Sequence, residues 1–251
     1  MPLNLQEKIS MYNGILPYDS QTFPTHRPFP LYMETLEKIR KAYTEYVLEN
    51  GKQPISVFQF AKKLKIAEAD FYQEYASFDA IEADVWLTFF TEAKTTVEAD
   101  GTYQSYSVRE KLLAFYYTWI ELLKAQRSFA VYSFGRIKST GPGQRSRGKV
   151  TSSSPVLNPF KEAFFDYARD LLAEGRESKE VEPRPFITDR YPNALWGQTL
   201  YLLDFWVRDV SKNFEKTDTA IEKSVSTTFD LIGRSPLDTL FDFAKFMYQN
   251  K

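Results

Sequence analysis

Two residue types that serve as general base, thiol nucleophile or soft metal ligand are almost absent from this 251-residue chain. It has no cysteine, and its single histidine, His26, lies in the proline-rich segment TFPTHRPFP. A nucleophile–histidine–carboxylate set needs a histidine held in place by its neighbours, and the chain has no second one to draw on. Without cysteine there can be no disulfide bond and no thiolate metal site. We therefore expect a protein that is not an enzyme and that uses no cofactor and no metal.

One segment nearly matches a phosphate-binding loop. Residues 143–150, GQRSRGKV, follow the spacing GxxxxGK[ST], except that Val150 stands where a hydroxyl would bind Mg²⁺. The chemistry also needs a strand before the loop and a helix after it, and neither is indicated here. Residues 135–155 hold five basic residues, four of the ten glycines and no acid. This composition favours a flexible loop over a nucleotide site.

Binding chemistry is better represented in residues 54–81, PISVFQFAKKLKIAEADFYQEYASFDAI. Ser56 is a good helix N-cap, and apolar residues follow it at the spacing of one helix face. A turn at residues 65–67 leads to a second short helix that places Phe71 and Tyr75 on its inner side. Two short helices joined in this way form a helix-turn-helix, whose second helix enters the major groove of DNA. The sequence therefore predicts a helix-turn-helix here.

The other elements that must position this module are also predicted to be helices. Residues 31–49 show an apolar stripe at helical spacing, and Ser77 can cap a long helix that follows it. No segment shows the two-residue alternation of a strand. Further helices are predicted at 78–99, 107–125, 158–174, 193–213, 217–232 and from 235 onward.

These elements predict an all-α protein with three parts. Residues 1–30 hold five of the 13 prolines and predict an irregular N-terminal arm. Residues 31–86 form a three-helix helix-turn-helix domain. Residues 87–251 form a larger helical domain, interrupted by the flexible loop at 135–155. No window approaches 18 uninterrupted apolar residues and the N-terminus lacks a secretion signal, so we expect a cytoplasmic protein without a membrane partner.

The charge distribution weighs against simple DNA binding. The net charge is −1, from 32 basic and 33 acidic residues, and residues 34–90 contain seven basic and ten acidic residues, a net charge of −3. The second helix of the helix-turn-helix carries Glu68, Asp70 and Glu74, all of which the phosphate backbone repels. Any contact with DNA must therefore come from local basic patches.

The segment AKKLKIAEADFYQEYASFDAI resembles the helix-turn-helix signature of tetracycline-repressor (TetR) family regulators. The chain departs from that signature in the turn, where Lys65 replaces a usual glycine, and at the next helix cap, where Ala67 replaces serine or threonine. Glu74 and Phe78 are also unusual for the family. The positions that carry the resemblance are Ala61, Ile66, Phe71, Tyr72, Tyr75, Ser77 and Asp79.

The resemblance implies a homodimeric transcriptional regulator that binds operator DNA and responds to a small-molecule effector. It places phosphate contacts at the start of the first helix, around the turn and on the exposed side of the second helix. Base contacts would come from the second helix. The implied phosphate-contacting residues are Ser56, Lys62, Lys65 and Tyr72, and those facing the bases are Ala69, Asp70 and Gln73.

The larger domain is expected to supply dimerisation and effector binding. In the family, the two penultimate helices usually form a four-helix interface with the partner, and here Leu202, Trp206, Ile221, Val225 and Phe229 would provide it. The many aromatic residues of this domain favour an apolar or aromatic effector. The implied effector-binding residues are Tyr116, Trp119, Phe129, Tyr132, Phe165, Trp196 and Phe205. The alternative is that these aromatic side chains form the domain's core and line no pocket.

A second interpretation follows from the acidic second helix. The protein would keep the same fold and dimerise, and would bind a ligand or another protein, but would no longer bind DNA. Acidic side chains can accept hydrogen bonds from cytosine amino groups, so the acids alone do not decide between the two interpretations.

Overall fold

The computed structural model describes residues 29–140, 154–184, 187–233 and Met247. Within these residues the regular structure is helical and no strand is present, which confirms the all-α prediction. Short 3-10 helices lie at Tyr103–Ser105, Pro155–Leu157, Thr188–Arg190 and Lys212–Phe214. The α-helices are α1 (Phe29–Asn50), α2 (Val57–Leu64), α3 (Glu68–Glu74), α4 (Phe78–Glu98), α5 (Val108–Ala125), α6 (Arg127–Thr140), α7 (Asn158–Glu177), α8 (Tyr191–Arg208) and α9 (Glu215–Ile232).

Local sequence explains where several of these helices begin. The Ser56 hydroxyl accepts the N–H of Gln59 at 3.3 Å and caps α2, and Ser77 caps α4 in the same way. At the start of α5, the carboxylate of Glu110 accepts the N–H of Ser107 at 2.8 Å, while the Ser107 hydroxyl accepts the N–H of Glu110 at 3.3 Å. These caps satisfy backbone donors that a helix leaves without partners at its first turn.

The described residues divide into two compact units. The first unit lies within Met1–Thr95 and Leu122–Ala163. It holds the helix-turn-helix together with most of α4 and with α6. At its centre the ring of Tyr43 stacks on that of Phe78 at 5.5 Å, and Phe60 packs edge-on against Phe71 at 6.1 Å.

The second unit lies within Thr96–Glu121 and Phe164–Lys251. Its core is aromatic, with the ring of Phe164 at 5.8 Å from that of Trp196. Helices α8 and α9 pack as an antiparallel pair. They are joined across their interface by Gln198, which donates to Ser224 and accepts from Thr228, each at 3.0 Å.

The structure corrects several predicted boundaries. Residues 135–140 are the last turns of α6, so the flexible loop does not begin at 135; residues 141–153 lie outside the described part. Helix α6 itself was not predicted. The predicted domain boundary after residue 86 falls inside the continuous helix α4.

The structure also corrects two predicted helix ends, and the predictions for the two chain ends lie mostly outside the described residues. Helix α8 ends at Arg208 rather than at 213. Gly175, predicted to stop α7, lies within that helix. A Cβ at position 175 would meet Cγ2 of Val181 at 2.6 Å, so glycine allows the close packing of Val181 there. Most of the predicted arm at 1–30, including His26, lies outside the described residues, as does the predicted final helix apart from Met247.

Candidate nucleic-acid interface and dimer face

The turn between α2 and α3 is held by a left-handed residue. Lys65 has φ 58° and ψ 39°, a conformation that glycine adopts without a steric penalty and that other residues rarely adopt. The N–H of Lys65 donates to the carbonyl of Lys62, and the N–H of Ile66 to that of Ala61, each at 3.1 Å. These hydrogen bonds end α2 and redirect the chain into α3.

Helix α3 is fixed to the rest of the unit through its inner face. Phe71 is fully buried, and Tyr75 at the end of the helix donates its hydroxyl to the Asp84 carboxylate of α4 at 2.6 Å. At the other end of α3, the carboxylate of Asp70 accepts the N–H of Ala67 at 3.2 Å. Helix α3, which has only seven residues, is therefore tied to α4 at its C-terminal end and capped by its own Asp70 at its N-terminal end.

The structure places five of the seven predicted DNA-contacting residues on the exposed side of α2, the turn and α3: Lys62, Lys65, Ala69, Tyr72 and Gln73. The side chain of Tyr72 is 52% exposed even though it follows the buried Phe71. The two others are half-buried, and each already accepts a backbone hydrogen bond, Ser56 from Gln59 and Asp70 from Ala67.

Three of the ten acidic residues in this region are held by arginines rather than presented on the exposed side of α3. Nη2 of Arg136 in α6 lies 2.5 Å from Asp79 and 3.2 Å from Glu82, and Nη1 of Arg40 lies 3.3 Å from Asp84. Including Arg136 changes the balance of residues 34–90 from seven to eight basic against ten acidic residues, a net of −2. These three paired acids belong to α4, so the acids of α3 itself, Glu68, Asp70 and Glu74, are not among them.

Glu82 is the most buried of these acids, with no exposed surface. Its carboxylate accepts from the Tyr43 hydroxyl at 2.6 Å, the Ser133 hydroxyl at 2.7 Å, the Gln53 amide at 3.1 Å and Nε of Arg136 at 3.2 Å. Burial raises the pKa of Tyr43, and the neighbouring Glu82 carboxylate raises it further. The pKa of Arg136 is raised because attraction to Glu82 and Asp79 outweighs the lowering effect of burial.

The predicted effector residues are divided between the two units. Phe129 and Tyr132 belong to the first unit, whereas the other five belong to the second. Tyr116, Trp119 and Trp196 are at most 2% exposed, and the Tyr116 hydroxyl forms a hydrogen bond of 3.0 Å with Thr199. Phe165 and Phe205 are half-buried.

The predicted dimer residues face the interior of their own protomer. Their apolar stripe packs into the core of the second unit, so these side chains are not available to a partner. This corrects the predicted interface. The five residues are all buried, with 0 to 9% of their surface exposed: Leu202, Trp206, Ile221, Val225 and Phe229.

The outward face of α8 and α9 carries a different set of side chains. An open groove of about 690 Å³ runs between the two helices there. It is lined by Tyr201 and Phe205 of α8, whose rings lie 6.1 Å apart, and by Lys216, Lys223 and several hydroxyl-bearing residues of α9. Tyr201 is 50% exposed.

Similarity to known proteins gives these surfaces a family context. The sequence model for the tetracyclin repressor-like C-terminal domain matches residues 111–247, more than half of the chain. The chain belongs to the tetracyclin repressor-like family. No curated protein matches the sequence.

Solved structures extend the likeness of this tetracyclin repressor-like chain beyond that domain. A TetR transcriptional regulator from Nitrosomonas europaea superposes with a TM-score of 0.54 at 12% identity, covering 77% of this chain and 97% of that one. A protein of unknown function from Rhodococcus sp. RHA1 superposes with a TM-score of 0.51 at 13% identity, covering 84% and 99%. At such identities the likeness concerns the fold alone.

Membrane-spanning helices and clustered metal ligands are both absent from the described residues of this tetracyclin repressor-like chain. None of the helices in the described ranges is long and apolar enough to cross a membrane. The same ranges contain no group of three or more histidine, aspartate or glutamate side chains placed to hold a metal ion.

The contribution of α6 to the helix-turn-helix unit of this tetracyclin repressor-like chain was not predicted from the sequence. Ser133 and Arg136 are three residues apart on one face of α6, and both contact Glu82. The three-residue spacing of Ser133 and Arg136 was the only local sign that both could contact one partner. The glycines and basic residues of 135–155 predicted a flexible loop there instead of a helix.

Proposed function

We propose that this tetracyclin repressor-like protein is a homodimeric transcriptional regulator that binds operator DNA through α2 and α3. The observation that carries the proposal is the exposed side of the helix-turn-helix. There Lys62, Lys65, Ala69, Tyr72 and Gln73 are all exposed. Lysines supply the phosphate contacts that dominate affinity for DNA, and the side chains of α3 supply specificity.

Each exposed residue has a chemically suited contact. Gln73 can form two hydrogen bonds with the edge of an adenine in the major groove, and Ala69 can contact a thymine methyl group. Tyr72 can donate its hydroxyl to a phosphate oxygen. Two copies of α3 in a dimer would occupy half-sites about 34–36 Å apart, one turn of DNA.

The dimer is proposed to form through the outward face of α8 and α9. Tyr201 is a large, half-exposed aromatic residue of the kind that anchors protein interfaces. It lies beside Phe205 in the groove, and Lys216 and Lys223 border it. The family resemblance supports the use of this helix pair, and the burial of the opposite stripe leaves this face for the partner.

The effector is proposed to be a small apolar or aromatic molecule bound by the second unit. The support is its aromatic core, in which Tyr116, Trp119 and Trp196 lie. Because these side chains are buried, binding would require local opening and should change tryptophan emission. A panel of apolar aromatic compounds should therefore yield at least one that raises the melting temperature and shifts the emission spectrum together.

DNA binding is tested by titrating the protein onto DNA from upstream of its own coding sequence, at low and at physiological salt. We expect salt-sensitive binding that K62Q/K65Q weakens. The matched control is K62Q with K212Q, which removes the same charge but leaves Lys65 in place, because Lys212 is exposed before α9. The control should retain more affinity and a steeper salt dependence than K62Q/K65Q. If the wild-type protein shows no salt-sensitive binding, the proposal is wrong.

A second candidate function, a dimer that does not bind DNA, is supported by the composition of α3. Helix α3, EADFYQE, contains no basic residue. The protein would then be a dimer that binds a ligand or a protein without DNA. Under this alternative, E68Q/E74Q creates nonspecific DNA affinity in a protein that otherwise has none, whereas under the first proposal it strengthens a binding that already exists.

A further inference from the structure

The buried carboxylate of Glu82 joins several parts of the first unit. Tyr43 belongs to α1, Gln53 lies in the segment that leads into α2, and Ser133 and Arg136 belong to α6. All four side chains donate hydrogen bonds to Glu82, which itself belongs to α4. A carboxylate without exposed surface requires such donors, because burying an unpaired charge is very unfavourable.

The hydroxyl of Ser133 serves as both acceptor and donor in this cluster. Its hydroxyl accepts from the indole N–H of Trp86 at 3.0 Å and donates to Glu82 at 2.7 Å. Ser133, Trp86 and Glu82 are all fully buried. Removing the Ser133 hydroxyl would deprive the Trp86 indole N–H of its acceptor and one Glu82 oxygen of a donor. Because the site is buried, water has little access to replace the hydroxyl.

A second carboxylate on α4 holds the other side of the helix-turn-helix. Asp84 accepts from Tyr75 at the end of α3 and from Arg40 of α1, and Arg40 also donates to Thr88 at 2.7 Å. Asp84 thus ties α4 to α1 and α3. Glu82 ties α4 to α1, to α6 and to the segment that leads into α2.

We propose that Glu82, Ser133 and Arg136 act as positioning residues that fix the helix-turn-helix to α6. The segment entering α2 cannot shift relative to α6 without separating a donor from the buried carboxylate of Glu82. Helix α6 therefore sets where α2 and α3 lie in the first unit. The consequence for DNA affinity rests on the proposed function, whereas the positioning itself does not.

The first test uses S133A, which removes the hydroxyl without changing charge. Its matched control is S139A on the same helix, where an exposed serine donates to the Arg136 carbonyl one turn earlier. We expect S133A to accelerate amide hydrogen exchange in α2 and α3 about tenfold, with α8 and α9 unchanged. It should also move the Trp86 indole N–H signal in a ¹H–¹⁵N spectrum, assigned by W86F. S139A should do neither.

The second test uses R136Q, with R169Q as the charge-matched control, since Arg169 pairs with the exposed Asp166 one turn away on α7. R136Q should reproduce the selective acceleration in α2 and α3, and R169Q should not. The positioning proposal is overturned if exchange in α2 and α3 stays at the wild-type rate in both S133A and R136Q. It is also overturned if exchange rises equally in α8 and α9, because that result marks general destabilisation.

DNA titration separates this inference from the proposed function. If the wild-type protein binds no DNA, the proposed function fails while the exchange result still decides the positioning. If the wild type binds DNA, we expect S133A to bind about tenfold more weakly than S139A at equal salt dependence, because no charge has changed. Equal affinities of S133A and S139A would overturn the link between positioning and DNA binding.

Discussion

The carboxylate of Asp70 accepts a hydrogen bond from the backbone N–H of Ala67, with 3.2 Å between Oδ2 and N. Ala67 has no side chain that could cap α3, so Asp70 supplies the half of a capping box that the helix can form. Asp70 was predicted to face bases, but its carboxylate oxygen already has a structural role. In the proposed complex with DNA, base contacts from α3 would then come chiefly from Ala69 and Gln73.

Replacing Asp70 by alanine should lower the free energy of unfolding by about 1 kcal/mol, because an N-terminal donor of α3 loses its acceptor. Urea denaturation followed by tryptophan emission measures the change. E68Q is the control on the same helix and should change stability by only a few tenths of a kcal/mol. A D70A protein of unchanged stability but altered base preference would show that Asp70 contacts bases instead.

Replacing Lys65 by glycine should raise the free energy of unfolding by up to about 1 kcal/mol, because glycine adopts the left-handed turn without strain. K65A removes the same cation but not the strain and serves as the control. If Lys65 neutralises one phosphate, both variants should lower the slope of log K against log salt by about 0.9. The turn would not be strained if K65G and K65A had the same urea midpoint. If neither variant changed the salt slope, Lys65 would not bind phosphate.

Asp209 should make the stability of the turn between α8 and α9 depend on pH. Burial alone would raise the pKa of Asp209, but the hydrogen bonds from Ser211 and Thr217 outweigh burial and lower the pKa to about 2. The carboxylate accepts the N–H and the hydroxyl of both residues at 2.7 to 2.9 Å. Since the pKa is depressed on folding, this stabilisation is complete above about pH 4 and is lost as the pH falls toward 2.

D209N should therefore be less stable than the wild type by about 1–2 kcal/mol at pH 7. The difference should shrink between about pH 4 and pH 2 in urea denaturation at fixed pH. D166N is the control, because Asp166 is exposed and its pair with Arg169 is worth less than about 1 kcal/mol. A difference between D209N and wild type that stays constant down to about pH 2 would contradict the assigned role of Asp209.

Introducing a charge at Tyr201 should dissociate the proposed dimer. Y201D would place a carboxylate in the groove between α8 and α9, and we expect the dimer dissociation constant to rise about a hundredfold. Sedimentation over a range of concentrations measures it. V210D is the control, because Val210 is 95% exposed in the turn after α8 and does not line the groove. If Y201D dimerised as tightly as V210D, the dimer interface would not include the groove between α8 and α9.

The predictable parts of the fold were those specified by neighbouring residues. Ser56 and Ser77 were expected to cap α2 and α4, and both accept the expected backbone N–H groups. Phe71 and Tyr75 were expected on the inner side of α3, and both are buried. Such features depend on helix geometry over three or four residues, which the sequence displays directly.

The orientation of α8 and α9 could not be predicted in the same way. Helix α8 carries large apolar residues on both sides, with Leu202 and Trp206 buried and Tyr201 and Phe205 lining the groove. Periodicity shows that a helix has an apolar stripe but not which neighbour covers it. The stripe assigned to the partner therefore proved to be the protomer's own core.

The sequence by itself determined the all-α class, the helix-turn-helix and the family resemblance, because helical spacing, caps and turn residues act over a few positions. Only the tertiary structure decided which charged side chains pair with one another. Asp79 and Glu82 are 57 and 54 residues from Arg136 in the chain, yet all three form one ion-pair cluster. Packing of α6 brings them together, and no local pattern encodes a contact between charges so distant in sequence.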